Sequence, residues 1–167
     1  MKMHVDASSA TDPVIVMARV FDAPRDIVWA AFTDPKHVVK WFGGHGFSSP
    51  VCEMDVRPGG IWRHVMRSPN GNDFTMEFVF IEVVKPEKLS WQHTDHGKRP
   101  PGGPPTVFNT VTFEDAGKKT NWKLVSRFST VADRDFAVKM GHAEMISQGS
   151  EKLDELVTEL CKQGGLV

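Results

Sequence analysis

The spacing of apolar residues changes repeatedly along this chain. VIVMARVF (Val14–Phe21) is nearly continuous in β-branched and apolar residues, the pattern of a buried strand. DAPRDIVWAAF follows at helical spacing, with Ile27, Val28, Ala31 and Phe32 on one side. Asp22 is placed to cap that helix. Pro24 suits its first turn, where a missing N–H costs nothing. TDPKHVVKWF opens a second short helix in the same way, and the glycines of GGHG (Gly43–Gly46) end it.

From there to Phe128 the period is two. PVCEMDV, IWRHVMR, DFTMEFVFIEVV, LSWQHT, TVFNTVTF and NWKLVSRF read as strands, separated by RPGG, SPNG, KPEK, a long loop and EDAGKK. Asn70-Gly71 supplies the positive φ of a tight hairpin. The long loop is DHGKRPPGGPP, whose prolines no strand can carry. Ala132 to Leu160 then reads as one long helix. Its apolar stripe is Ile146, Gly149, Leu153, Leu156 and Leu160, and QGG ends it.

These elements give an α+β fold. Residues 1–12 read as a loose leader and 13–163 as a single domain. A curved antiparallel sheet of about six to seven strands must cover one face, and only the C-terminal helix is long enough to do it. The expected architecture is a helix-grip: the sheet wraps round that helix, two short helices follow the first strand, and a cavity lies between sheet and helix.

Alternation sorts the strand residues by face. Trp62, His64 and Met66 oppose Arg63 and Arg67. Phe74, Met76, Phe78 and Phe80 oppose Thr75 and Glu77. Trp91 and His93 oppose Gln92 and Thr94. The aromatic and methionine face is the expected lining. It brings His64 and His93 among apolar residues, with Asn109 a third polar group. Phe136, Met140 and Ala143 are placed to close one end of the cavity. Trp41, Phe42 and the glycines after them form either a flap or a plain connector at the other.

Composition removes several classes. Net charge is −1 and the cationic residues are scattered, which argues against nucleic acid. Cys52 and Cys161 make neither a disulfide framework nor a zinc site. The N-terminus lacks the apolar core of a signal peptide, and no apolar run is long enough to span a bilayer, so a cytoplasmic protein is expected. RPGG lies between two strands, whereas a phosphate loop needs a helix N-terminus after the glycines. His93 and His96, even with Asp95, fall short of a metal site. The chain has no tyrosine and no Gly-x-Ser-x-Gly elbow. No metal and no cofactor are expected.

RVFDAPRDIVWAAFTDPKHVVKWFG, EMDVRPGGIWRHVMRSPNG and VVKPEKLSW resemble the SRPBCC (START/Bet v 1-like) superfamily. Within it they are most similar to the branch named for the activator of heat-shock-protein-90 ATPase homologue. The resemblance spans about residues 14–160. It implies the helix-grip fold and an apolar pocket, but no single activity: members include lipid carriers, cyclases and co-chaperone domains. The branch usually carries Gly-Trp in its last helix, where this chain has Gly149-Ser150.

The leading expectation is a binder of a small apolar molecule, lined by Trp62, Met66, Met76, Phe78, Phe80, Trp91, Phe136 and Met140. His64, His93 or Asn109 would orient the ligand. A cyclase or dehydratase using His64 or His93 as acid/base is the second reading. A module acting on a chaperone is the third, resting on the resemblance alone. An exposed edge strand could also pair two copies.

Overall fold

The computed structural model describes residues 3–94 and 106–164. Its elements are β1 (His4–Asp6), β2 (Val14–Phe21), α1 (Arg25–Thr33), α2 (Pro35–Trp41), β3 (Ser48–Met54), β4 (Ile61–Arg67), β5 (Asp73–Val84), β6 (Lys88–His93), β7 (Phe108–Ala116), β8 (Lys119–Arg127), α3 (Val131–Lys139) and α4 (His142–Lys162). The strands form one open antiparallel sheet in the order β1-β2-β8-β7-β6-β5-β4-β3. The α+β class, the two short helices and the long C-terminal helix stand as expected. No helix among the described residues is long and apolar enough to cross a membrane.

Three expectations change. The sheet has eight strands, because residues 4–6 of the supposed leader pair with β2. That segment is also pinned from the other side. The buried Arg134 guanidinium donates to the carbonyls of Ser9 (2.6 Å) and Val14 (3.1 Å). The single last helix is two, because Gly141 adopts φ +90° and turns the chain between α3 and α4. Only glycine takes that conformation cheaply. Finally, Asp22 does not cap α1. Pro24 occupies the cap position without a side-chain bond, and its extended φ and ψ set the helix entry. The second helix follows the expected chemistry: Asp34 accepts from the Lys36 N–H, ahead of Pro35 in the first turn.

α4 lies against α1, α2 and β2. Between helices and sheet sits an aromatic core: Phe32 touches the rings of Trp41, Trp91, Phe113 and Trp122. Each such side chain contributes about 1.5–3 kcal/mol by leaving water. The Trp41 indole donates to the Ala31 carbonyl at 2.8 Å and locks α2 to α1. Gly149 then lets α4 approach: a Cβ there would stand 3.0 Å from the Trp41 carbonyl oxygen and 3.2 Å from that of Gly43. At the next position the space above Ser150 is not empty. Buried Arg19 of β2 donates to Ser150 Oγ at 3.0 Å and faces Asp154 at 3.5 Å. Its guanidinium lies 4.9 Å from the Phe21 ring centroid.

RPGG is a turn between β3 and β4, as its context implied. Gly59 N–H donates to the Phe80 carbonyl, and Phe80 N–H to that of Gly60, so the turn continues the β5 ladder. Gly59 has φ +82° with open space around it. At Gly60 a Cβ would fall 1.9 Å from the Asp55 carbonyl oxygen. Gly60→Ala therefore destabilises by about 3 kcal/mol or more through backbone displacement, and Gly59→Ala by about 1 kcal/mol through strain alone. Urea denaturation of the two variants separates them; equal losses would contradict the clash.

Candidate functional site

The inner face is not uniform from end to end. Along β5 its side chains run from Phe80 (0% exposed) through Phe78 (4%) and half-buried Met76 to Phe74 (48%). β6 changes in the same direction, from buried Leu89 and Trp91 to half-buried His93. α4 does likewise, from buried Leu153 back to half-buried Ile146, Met145 and His142. The deep half is filled by protein: Trp62, Phe80 and Phe113 are fully buried there. The half that opens lies between the start of β5, the end of β6 and the first turn of α4.

Besides the Arg19–Ser150 pair, two hydrogen-bonded groups built around a histidine lie on this face. The first surrounds His64 on β4. Trp62 Nε1–H donates to His64 Nδ1 at 3.1 Å, so that nitrogen carries no proton. The proton is on Nε2, which donates to Ser49 Oγ at 2.8 Å. Phe42 covers the ring at 4.1 Å between centroids. Burial pushes the His64 pKa down to about 4. The ring is neutral, both nitrogens are occupied, and the side chain is fully buried. Cys52 is its cross-strand partner, and burial raises that thiol to about 11. The pair supplies no thiolate at neutral pH.

The second group was only partly visible in sequence. Asn109 and Ser126 are cross-strand partners on β7 and β8. Ser126 Oγ donates to Asn109 Oδ1 at 2.7 Å, and the His142 Nε2 atom lies 3.2 Å from the same Oγ. Phe128 meets the His142 ring edge-on at 5.6 Å. Burial pushes the His142 pKa down to about 4, and nearby His93 adds to the effect. His93 contacts the Phe78 ring at 4.8 Å. Ser126 and His142 escape sequence reasoning. The signal available for Ser126 is its register opposite Asn109.

Of the other expected residues, Trp62, Met66, Phe78, Phe80, Trp91 and Asn109 are buried, and Met76 and His93 half-buried. Phe136 (37%) and Met140 (51%) are exposed, because the break at Gly141 separates α3 from the long helix. Trp41 is buried. The connector after it is tied to α4: His45 N–H donates to Gln148 Oε1 (2.8 Å) and Lys152 Nζ to the Gly44 carbonyl (3.0 Å). His96 and Asp95 lie outside the described residues. Among the described residues no three His, Cys, Asp or Glu side chains cluster to hold a metal. Two hollows of about 710 and 430 Å³ lie largely on the outer side of the sheet, the first along the row Ile61, Val79, Gln92, Phe108 and Arg127.

His64 makes stability pH-dependent. Its folded pKa, about 4, lies below the 6.5 of an ordinary histidine. Between those values the unfolded chain binds more protons, so stability is full above pH 6.5 and is lost as pH falls toward 4. The loss due to this ring is on the order of 3 kcal/mol. Urea midpoints taken from pH 7.5 down to 4.5 should fall less steeply in His64→Gln than in the wild type. Parallel curves would refute this assignment.

The chain resembles known proteins along most of its length. A family model described as activator of Hsp90 ATPase homolog 1-like protein matches residues 22–158. Among solved structures, a Nitrosomonas europaea protein is 26% identical, with 90% of this chain and 97% of that one covered and a TM-score of 0.80. A Rhodobacter sphaeroides protein is 22% identical over 96% of this chain and 100% of its own, with a TM-score of 0.82. The AHSA1-like protein from Aeromonas hydrophila is 16% identical over 84% and 93%, with a TM-score of 0.66. No curated protein matches the chain. The family match, covering both short helices, strands β3 to β8, α3 and most of α4, places the chain in the activator of Hsp90 ATPase homolog 1-like family of the SRPBCC superfamily.

Proposed function

We propose that this protein binds a small, mostly apolar molecule in the open half of the space between the sheet and α4. The observation that carries this reading is the exposure gradient along β5, β6 and α4. Apolar side chains left half-exposed on an inner face favour an apolar occupant, because covering them removes surface from water at about 25 cal/mol per Å². The family fold is consistent with a hydrophobic ligand. The packed deep half, with Trp62 and Phe80 at its centre, favours a short ligand over a long lipid chain that would need the whole interior. Orientation comes from the Asn109–Ser126–His142 group, the polar side chains that sit beside the opening. His64 serves the wall: it holds Trp62 and Ser49 in place from a position no ligand reaches without displacing Phe42.

Nile red, an uncharged dye that brightens in apolar surroundings, tests the site. Its emission should rise and shift to the blue with wild-type protein. Met145→Arg, which puts a charge at the opening, should abolish the response, while Ile81→Arg on an exposed β5 position should leave it intact. A dye response unchanged by Met145→Arg places the apolar site elsewhere and defeats the reading.

A further inference from the structure

The Asn109–Ser126–His142 group has a direction. A serine hydroxyl carries one proton, and Ser126 spends it on Asn109 Oδ1 at 2.7 Å. Its oxygen can then only accept from His142, so the proton of that imidazole sits on Nε2. Burial, with His93 nearby, holds the His142 pKa down to about 4, so at neutral pH the ring carries a single proton. Nδ1 is left as a bare lone pair. Among the described residues it has no hydrogen-bond partner, and the side chain that carries it is only half-buried. The chain of bonds thus begins at an amide on β7 and ends at an acceptor on the first residue of α4.

We infer that the ligand carries a hydrogen-bond donor, a hydroxyl or an N–H on an otherwise apolar body, and presents it to His142 Nδ1. This rests on the ligand-binding reading above. An ether or ester of the same shape would bring lone pairs against a lone pair, leaving Nδ1 desolvated and unpaired. Discrimination of this kind needs no charged partner. It follows from a tautomer fixed two bonds away, by the side chain of Asn109. Ser126 and Asn109 act here as positioning residues, and His142 is the contact.

The test uses two compounds with the same apolar body, 4-octylphenol and its methyl ether 4-octylanisole, each titrated against Nile red bound to the full chain. The phenol should bind about tenfold more tightly than the ether, the worth of one hydrogen bond to a buried acceptor. In His142→Phe the ratio should fall to about one, since the acceptor is gone. Ser126→Ala should also lower it, because Nε2 no longer holds the proton and the ring can turn a donor outward. Should His142→Phe not fold, His142→Leu, which also lacks an acceptor, and Ser126→Ala carry the comparison. Equal affinities in the wild type, or a phenol preference that survives both substitutions, overturn this inference and leave the apolar site standing. Failure of both compounds and of the dye to bind removes the site itself, and the inference with it.

Discussion

The closeness of α4 to the chain beneath it governs everything else in this fold. A long helix can cover a curved sheet only if nothing bulky holds it away at the crossing. Here that point is Gly149, under the carbonyls of Trp41 and Gly43. Those carbonyls are in turn held where they are by the Trp41 indole, which binds α1. Arg19 fastens the same helix to β2 one position further on. The aromatic core, the packed deep half and the opening at the helix N-terminus all follow from a helix clamped near its middle and relieved toward its start.

That clamp also divides labour between the two polar groups. His64 lies under Phe42, next to the connector that α4 pins, and every hydrogen-bonding atom of its ring is used. His142 lies where the helix begins and the packing loosens, and its Nδ1 has no hydrogen-bond partner among the described residues. The two rings share a depressed pKa from the same cause, burial. They differ in what their second nitrogen faces, and that difference separates a wall from a contact.

Much of this architecture could be read from residue order, for local reasons. The strands Val14–Phe21, Ile61–Arg67 and Asp73–Val84 announce themselves by β-branching and alternation, and their observed bounds agree with the pattern. What could not be read depends on single dihedral angles and on register. A lone glycine inside a helical pattern does not declare whether it bends the chain, so Gly141 hides the break between α3 and α4. Reading EDAGKK as the whole turn leaves the last hairpin without a register. The observed turn is only Gly117-Lys118, and that pairing sets Ser126 opposite Asn109. Ser49 reaches His64 from a strand whose pairing shifts between Ser48 and Val51, an irregularity with no local signature. The site was therefore legible as a face and illegible as a set of bonds.

The two edges of the open sheet are unlike the strands between them. β1 is three residues long, and its neighbouring segment is held down by Arg134. β3, at the opposite edge, contains Pro50 and the irregularity beside it. A proline has no N–H to give, and a bulge turns the remaining donors out of line. Neither edge therefore offers a long, flat row of unpaired donors and acceptors to a passing strand. An eight-stranded sheet left open in this way limits strand-by-strand growth at its edges without having to close into a barrel.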